Sequence, residues 1–176
     1  MQRFTVLAAS LILGLGLLIP TSAEAQTSFE IGPRLGIPVG DVSDRGGSLF
    51  LGADARISGQ ALPVVLNPSV DFYLMDDVSG TSAGQSVFAV DMNALYEFGV
   101  ENQVFTPYAG GGVGITRFSA DTEVSGLGSE TTEVGVNIVG GARFPLGSLE
   151  PFAQLNATIG GDAQRLGITG GLLFSL

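Results

Sequence analysis

The chain has 176 residues, a formal charge of −10 and no cysteine, histidine, lysine or tryptophan. These absences exclude a disulfide framework, a Ser–His pair, a cysteine nucleophile and a His-ligated zinc site, and a pI near 4.1 leaves no basic footprint for nucleic acid. Charged residues make up only 14%, against about 25% in ordinary soluble domains, yet beyond the N-terminus no apolar run reaches the length of a membrane helix.

The N-terminal stretch reads as an address. Arg3 gives a positive start, Phe4–Ile19 is almost wholly apolar, and Ala23-Glu24-Ala25 is an A-x-A cleavage site. The expectation is a secretory signal peptide over residues 1–25, followed by one domain over residues 26–176. Removing the leader takes one arginine and one glutamate together, so the acidity stays. It fits either solubility or a saline medium.

The remainder breaks into eight segments of alternating polarity, the period of a strand with one apolar face. In chain order they are Phe29–Ile37, Leu49–Ser58, Leu66–Met75, Phe88–Phe98, Thr106–Phe118, Glu133–Phe144, Leu149–Ile159 and Arg165–Leu176. The fifth shows the pattern most plainly. Pro107, Ala109, Val113 and Ile115 alternate with Gly110, Gly112, Gly114 and Thr116. A greasy face opposite a row of glycines suits lipid outside and a crowded interior inside. About ten residues per segment is the transmembrane-barrel signature. The fold expected is all-β, an eight-stranded antiparallel up-and-down transmembrane β-barrel.

The links support this. Pro38–Ser48, Asp76–Val87 and Ser119–Thr132 are long and polar, whereas Gly59–Val65, Gly99–Phe105 and Pro145–Ser148 are shorter; the final link, Gly160–Gln164, is short but falls on the long-loop side. Outer-membrane barrels have short periplasmic turns and longer external loops, so both termini should be periplasmic. On that orientation Phe29, Tyr96, Phe98, Phe144 and Phe174 form a periplasmic aromatic girdle, with Phe72 and Phe88 as a thinner outer one. Pro33 and Pro68 fall inside proposed strands, where each removes a ladder donor. Bulges are expected there.

Four pieces of sequence carry a resemblance: Pro107–Gly114 (PYAGGGVG), Gly141–Leu146 (GARFPL), Pro151-Phe152-Ala153 and the terminal Gly170–Leu176. Over the whole of residues 26–176 the chain resembles the OmpA-like and OmpX-like small outer-membrane β-barrels. The resemblance implies insertion into a Gram-negative-type outer membrane by the barrel-insertion machinery. The family's usual terminal aromatic is replaced by Leu176, with Phe174 two residues earlier on the same face. The family's peptidoglycan-binding domain is expected to be absent.

The inward faces hold nearly all strand charges. Arg34, Asp54, Arg56, Asp71 and Asp91 fall near mid-barrel, and Glu30, Glu97, Arg143 and Glu150 near the periplasmic end. Eight strands leave an interior just wide enough for side chains, so arginines should pair with carboxylates there. The expected candidate site is a structural ionic network of Glu30, Arg34, Asp54, Arg56, Asp71, Asp91, Glu97 and Arg143. Acids outnumber arginines in this set, so surplus carboxylates must share protons or reach water.

Gly110–Gly114 matches neither a dinucleotide fingerprint nor a P-loop, since Ile115 and Arg117 stand where glycines would be needed and no helix follows. Asp41-Val42-Ser43-Asp44-Arg45 puts an arginine where a calcium loop needs an oxygen. Asn156-Ala157-Thr158 is a sequon within a strand. A carboxylate dyad, for example within Asp54, Asp71 and Asp91, is a catalytic arrangement the composition still permits. The external links carry Asp41, Asp44, Asp76, Asp77, Asp121, Glu123, Glu130 and Asp162, and Arg117 points outward where a lipid phosphate could meet it.

The resulting expectation is a non-catalytic outer-membrane barrel with a structural or surface-interaction role, without cofactor or metal. Its partners would be membrane lipid, lipopolysaccharide and the insertion machinery, with no nucleic acid, and it is expected as a monomer. The alternatives are a narrow pore for ions or small solutes, and a soluble periplasmic lipocalin-like binder whose greasy faces would point inward.

Overall fold

The structure, a computed structural model, describes residues 27–44, 46–60, 62–75, 85–99, 104–120, 129–160 and 164–176. The expected signal peptide over residues 1–25 lies outside these, as do Arg45, Asp76, Asp77, Asp121, Glu123 and Asp162.

Eight antiparallel strands run in sequence order and close on themselves. They are β1 (Thr27–Val39), β2 (Gly47–Gly59), β3 (Val65–Met75), β4 (Gln85–Glu97), β5 (Thr106–Ala120), β6 (Ser129–Arg143), β7 (Leu149–Ile159) and β8 (Arg165–Ser175). Closure comes from β1, which pairs with both β2 and β8. No strand edge is left open, which is what a lipid surround demands of a sheet. The seventh segment matches its expected bounds, and the others are extended or trimmed by a few residues. The largest difference is at β6, which begins at Ser129 and forms with β5 one long hairpin paired from Thr106↔Arg143 to Ala120↔Ser129. One further element, the single-turn helix α1 (Asp41–Asp44), sits in the link between β1 and β2, a stretch that reads only as polar loop.

The alternation resolves as expected. Leu35, Ile37, Phe72, Val113, Ile115, Val136, Ile138, Leu155 and Ile168 are exposed, whereas Arg34, Asp54, Arg56, Asp71 and Asp91 are buried. Charges lie inside and apolar side chains outside, the inverse of a soluble β-barrel. That inversion removes the lipocalin-like alternative.

The prolines do not bulge the sheet. Pro33 stays in register opposite Ala53, and Pro68 stays in register opposite Met92. Each turns its nitrogen to its other neighbour, where rungs are missing. The β1–β8 ladder passes from Ile31↔Phe174 to Arg34↔Gly171, and the β2–β3 ladder from Asp54↔Ser69 to Ile57↔Leu66, with no change of register. At Pro68 a side chain fills in for the lost donor. Asn67 Nδ2 donates to the carbonyl oxygen of Ala55 at 2.9 Å, the acceptor that a residue-68 N–H would have served. The register shift in this ladder lies elsewhere, between Gly47 and Leu49.

Inward and outward glycines differ in kind. A Cβ on Gly112 would collide with the carbonyl oxygen of Met92 and come within 2.7 Å of Asn93 Cα, while one on the outward Gly140 would meet nothing within 4 Å. Gly112→Ala should therefore lower folding yield and stability, whereas Gly140→Ala should stabilise by about 0.5–1 kcal/mol by reducing the backbone entropy of the unfolded chain. Val113→Arg, on the lipid face, should cost about 2–4 kcal/mol if it sits near the midplane. Urea unfolding of the barrel in lipid vesicles measures all three.

Candidate functional site

The interior is filled in layers, and each layer is set by which strand rows face inward. At the end that holds the chain's C-terminal strand tip, Arg143 from β6 gathers three carboxylates. Its Nη1 donates to Glu150 Oε2 at 2.8 Å and to Glu30 Oε1 at 3.4 Å, and its Nη2 donates to Glu97 Oε2 at 2.9 Å. These residues come from β1, β4, β6 and β7, so the cluster spans the barrel mouth. All four side chains remain partly exposed.

Above them lies a buried ionic core. Arg34 faces Asp71 with two nitrogens: Nη2 donates to Oδ2 at 3.0 Å, and Nε lies 2.9 Å from Oδ1. Its third nitrogen, Nη1, donates to Asp54 Oδ2 at 3.1 Å. Asp54 also accepts from Asn67 Nδ2 at 2.8 Å and lies 3.5 Å from Arg56 Nε. The Arg56 guanidinium sits 4.5 Å from the Tyr108 ring centroid and 4.8 Å from that of Phe152. Desolvated contacts of this kind are worth about 2 kcal/mol. Its Nη2 donates to the Tyr108 hydroxyl at 2.9 Å, and that hydroxyl donates onward to Gln154 Oε1 at 3.0 Å.

A residue outside the expected set completes the core. Arg165, the first residue of β8, is 2% exposed. Its Nη2 donates to Asp91 Oδ1 at 2.6 Å, and its Nη1 lies 3.4 Å from both Asp91 Oδ2 and the Tyr73 hydroxyl. In a closed order of eight strands, β8 and β4 are diametrically opposed, so this pair crosses the lumen. The signal was present in the sequence, since residue 165 shares the parity of the inward Gly167 and Thr169. Standing at a strand's first position, it reads as the end of a loop.

Including Arg165 changes the charge balance. The fully buried core holds Arg34, Arg56 and Arg165 against Asp54, Asp71 and Asp91. The expected surplus of acid is absent from it and confined to the Arg143 cluster, where water reaches the carboxylates. Each of the three aspartates accepts from an arginine, the opposite of two carboxylates sharing a proton, so the catalytic dyad does not form. Arg117 pairs at the surface with Glu130 on the neighbouring strand, 2.5 Å away, with both side chains exposed. Among the described residues no group of three acidic residues is arranged to hold a metal ion.

Three lumenal contacts are made across a glycine. Gly52 stands in register between Arg34 and Asp71. Gly112 stands between Asn93 and Asn137, whose side chains meet at 2.9 Å. Gly141 stands between Tyr108 and Gln154. In each case a Cβ would strike one or both partners. The asparagine contact extends into a ladder from Thr158 through Asn137 and Asn93 to Asn67.

At the far end the filling turns apolar. Phe50, Tyr73, Val87 and Ala89 form a cluster with Val42 of α1, and the Tyr73 ring packs on Phe50 at 5.0 Å. A second cluster, Val65, Leu95, Tyr108 and Val139, lies toward the Arg143 end.

The family model described as "Outer membrane protein beta-barrel domain" matches residues 7–172. The fold is similar to three solved structures, each covered over its whole length. They are the N-terminal β-barrel domain of Pseudomonas aeruginosa OprF (TM-score 0.60, 15% identity, 87% of this chain), Neisserial surface protein A (0.60, 13%, 88%) and the attachment invasion locus protein Ail of Yersinia pestis (0.61, 14%, 88%). Among curated protein sequences none matches the chain.

Because Arg165 is buried against Asp91, Arg165→Met should leave an unpaired carboxylate and cost about 3–5 kcal/mol. Adding Asp91→Leu should recover most of that loss, since removing both charges lifts the desolvation cost. A double-mutant cycle by denaturant unfolding in detergent micelles reads the coupling. Additive losses would show that the two residues do not interact.

Proposed function

The chain belongs to the outer membrane protein β-barrel domain family, and on that premise we propose that it is a non-catalytic integral protein of a Gram-negative-type outer membrane, with a closed lumen and a structural or surface-interaction role. The leader over residues 1–25 would deliver it across the inner membrane, leaving residues 26–176 to be inserted as the barrel. Both termini then face the periplasm, and the links carrying α1 and the β5–β6 tip face outward.

The observation that carries the closed lumen is the Arg165–Asp91 pair between opposed strands. With Arg34–Asp71 and the Arg56 stack it crosses the interior at mid-height from several directions. An eight-stranded wall has no spare width for such side chains to fold aside. The eight network residues named from the sequence, together with Arg165, act in this reading as filling and as a register lock. A narrow cation pore would need acidic groups facing a continuous water path. Here the three buried aspartates are each paired with an arginine, and among the described lumenal residues the excess carboxylates gather around Arg143 at one mouth.

Lipid is the first partner in this reading. The outward face is a continuous band of Leu, Ile, Val and Phe, with Tyr96, Phe98, Phe144 and Phe174 exposed at one rim and Phe72 and Phe88 toward the other. Lipopolysaccharide would meet the acidic external links through divalent cations, and the insertion machinery would meet β8. The barrel is proposed to act as a monomer.

Planar-bilayer recording tests the closed lumen. The expected result is no stable open step for the unaltered barrel. Regular conductance steps that persist across preparations would overturn it in favour of a pore.

A further inference from the structure

We propose that α1 is a hinged hydrophobic stopper that seals the outer end of the lumen, with Val42 as its plug. Within Asp41-Val42-Ser43-Asp44 only Val42 is buried, and it is completely so. It sits in the cup of Phe50, Tyr73, Val87 and Ala89. A single helical turn has no stability of its own, so this one is held by what its valine touches. The floor of the cup is also the roof of the ionic core, because Tyr73 packs on Phe50 with its ring and reaches Arg165 with its hydroxyl. Seating Val42 therefore separates the Arg165–Asp91 pair from the external medium.

Three features adapt the wall and the loop to this seat. Gly40 and Gly46, one on each side of the turn, hold φ of 79° and 95°, joint conformations that favour glycine. Gly47, the first residue of β2, lies against the plug, and a Cβ there would fall 2.8 Å from Val42 O and 2.9 Å from Val42 Cγ1. The register shift between Gly47 and Leu49 lies at the same place, so the wall is locally reset where the stopper enters. On the opposite side the backbone N–H of Gln164, in the β7–β8 link, donates to Asp41 Oδ2 at 3.0 Å. This exposed bond latches the stopper to the link that faces it. Among the described residues, one buried valine and one exposed hydrogen bond seat the turn, a light closure compatible with a stopper that can lift.

The absence of cysteine gives a clean background for the test. Val87→Cys places a thiol in the cup, and Thr131→Cys provides an exposed control. Both are folded into lipid vesicles, checked by heat-modifiable gel mobility, and treated from outside with a charged, membrane-impermeant thiol reagent. The Val87→Cys thiol should react far more slowly than the control. Adding Val42→Ser should raise its rate by about tenfold or more, the scale of a lost valine burial. Adding Asp41→Ala, an exposed change that removes only the latch, should raise it by a smaller factor and carries the test if Val42→Ser does not fold. Val87→Cys reacting as fast as the control would overturn the proposal. So would a slow rate that neither second substitution changes.

Discussion

Everything inside this barrel depends on one constraint: eight strands enclose a space that side chains must fill completely, and many of those side chains are charged. A guanidinium removed from water is tolerated only where carboxylates and rings replace the solvent. The chain meets this with three arginines and three aspartates in the buried core. It places Arg56 between Tyr108 and Phe152 and forks Arg34 onto Asp71. Width is the scarce quantity, and glycine supplies it. Gly52, Gly112 and Gly141 each stand between two partners that could not meet over a side chain. The high glycine content is thus tied to the polar contacts, since each cross-glycine contact needs its middle residue reduced to backbone.

The ionic core is better understood as a specifier of register than as a source of net stability. Buried pairs recover their desolvation cost at best, and apolar replacements of similar volume often do as well or better. Breaking one partner is costly, however, and a one-residue slip of a strand would break the pairs that strand carries. It would also turn that strand's apolar residues inward and its charges toward lipid. The two proline positions show how firmly the register is held. The sheet gives up rungs at Pro33 and Pro68 without shifting, and Asn67 supplies a donor to Ala55 where the backbone has none.

The wall of this barrel was legible in the sequence because a period of two survives any detail of twist or loop. Parity alone sorted inward from outward along all eight segments, and the contrast of long and short links served to set the expected orientation. The pairing inside was not legible to the same degree. Which arginine meets which aspartate depends on the stagger between neighbouring strands, and that stagger is a property of the closed sheet. Arg143 with Glu97 and Glu150 could be anticipated because all three sit at strand ends on one side, where stagger matters less. Arg165 was obscured by its position at a strand's first residue. Without it the core carries an apparent excess of acid, an excess that favours a pore on paper. The α1 turn was hidden for another reason: one valine among polar residues has no period, and its burial follows only from the cup that distant strands assemble.

The two ends of the lumen are closed by different physics, and the difference follows from what each end must exclude. At the Arg143 mouth, three carboxylates around one guanidinium keep partial access to water, so the imbalance is solvated. At the opposite mouth the seal is apolar, and the nearest charge pair, Arg165 with Asp91, is buried beneath Tyr73 and Phe50. An apolar cover raises the strength of the pair below it by keeping water from competing for the same donors. It also means that the cover and the pair are coupled. A lumen that opened at the stopper would hydrate Arg165 first and weaken its contact from β8 to Asp91 on β4. The asymmetry therefore places the apolar cover and its single helical turn directly over a charge pair that crosses the lumen.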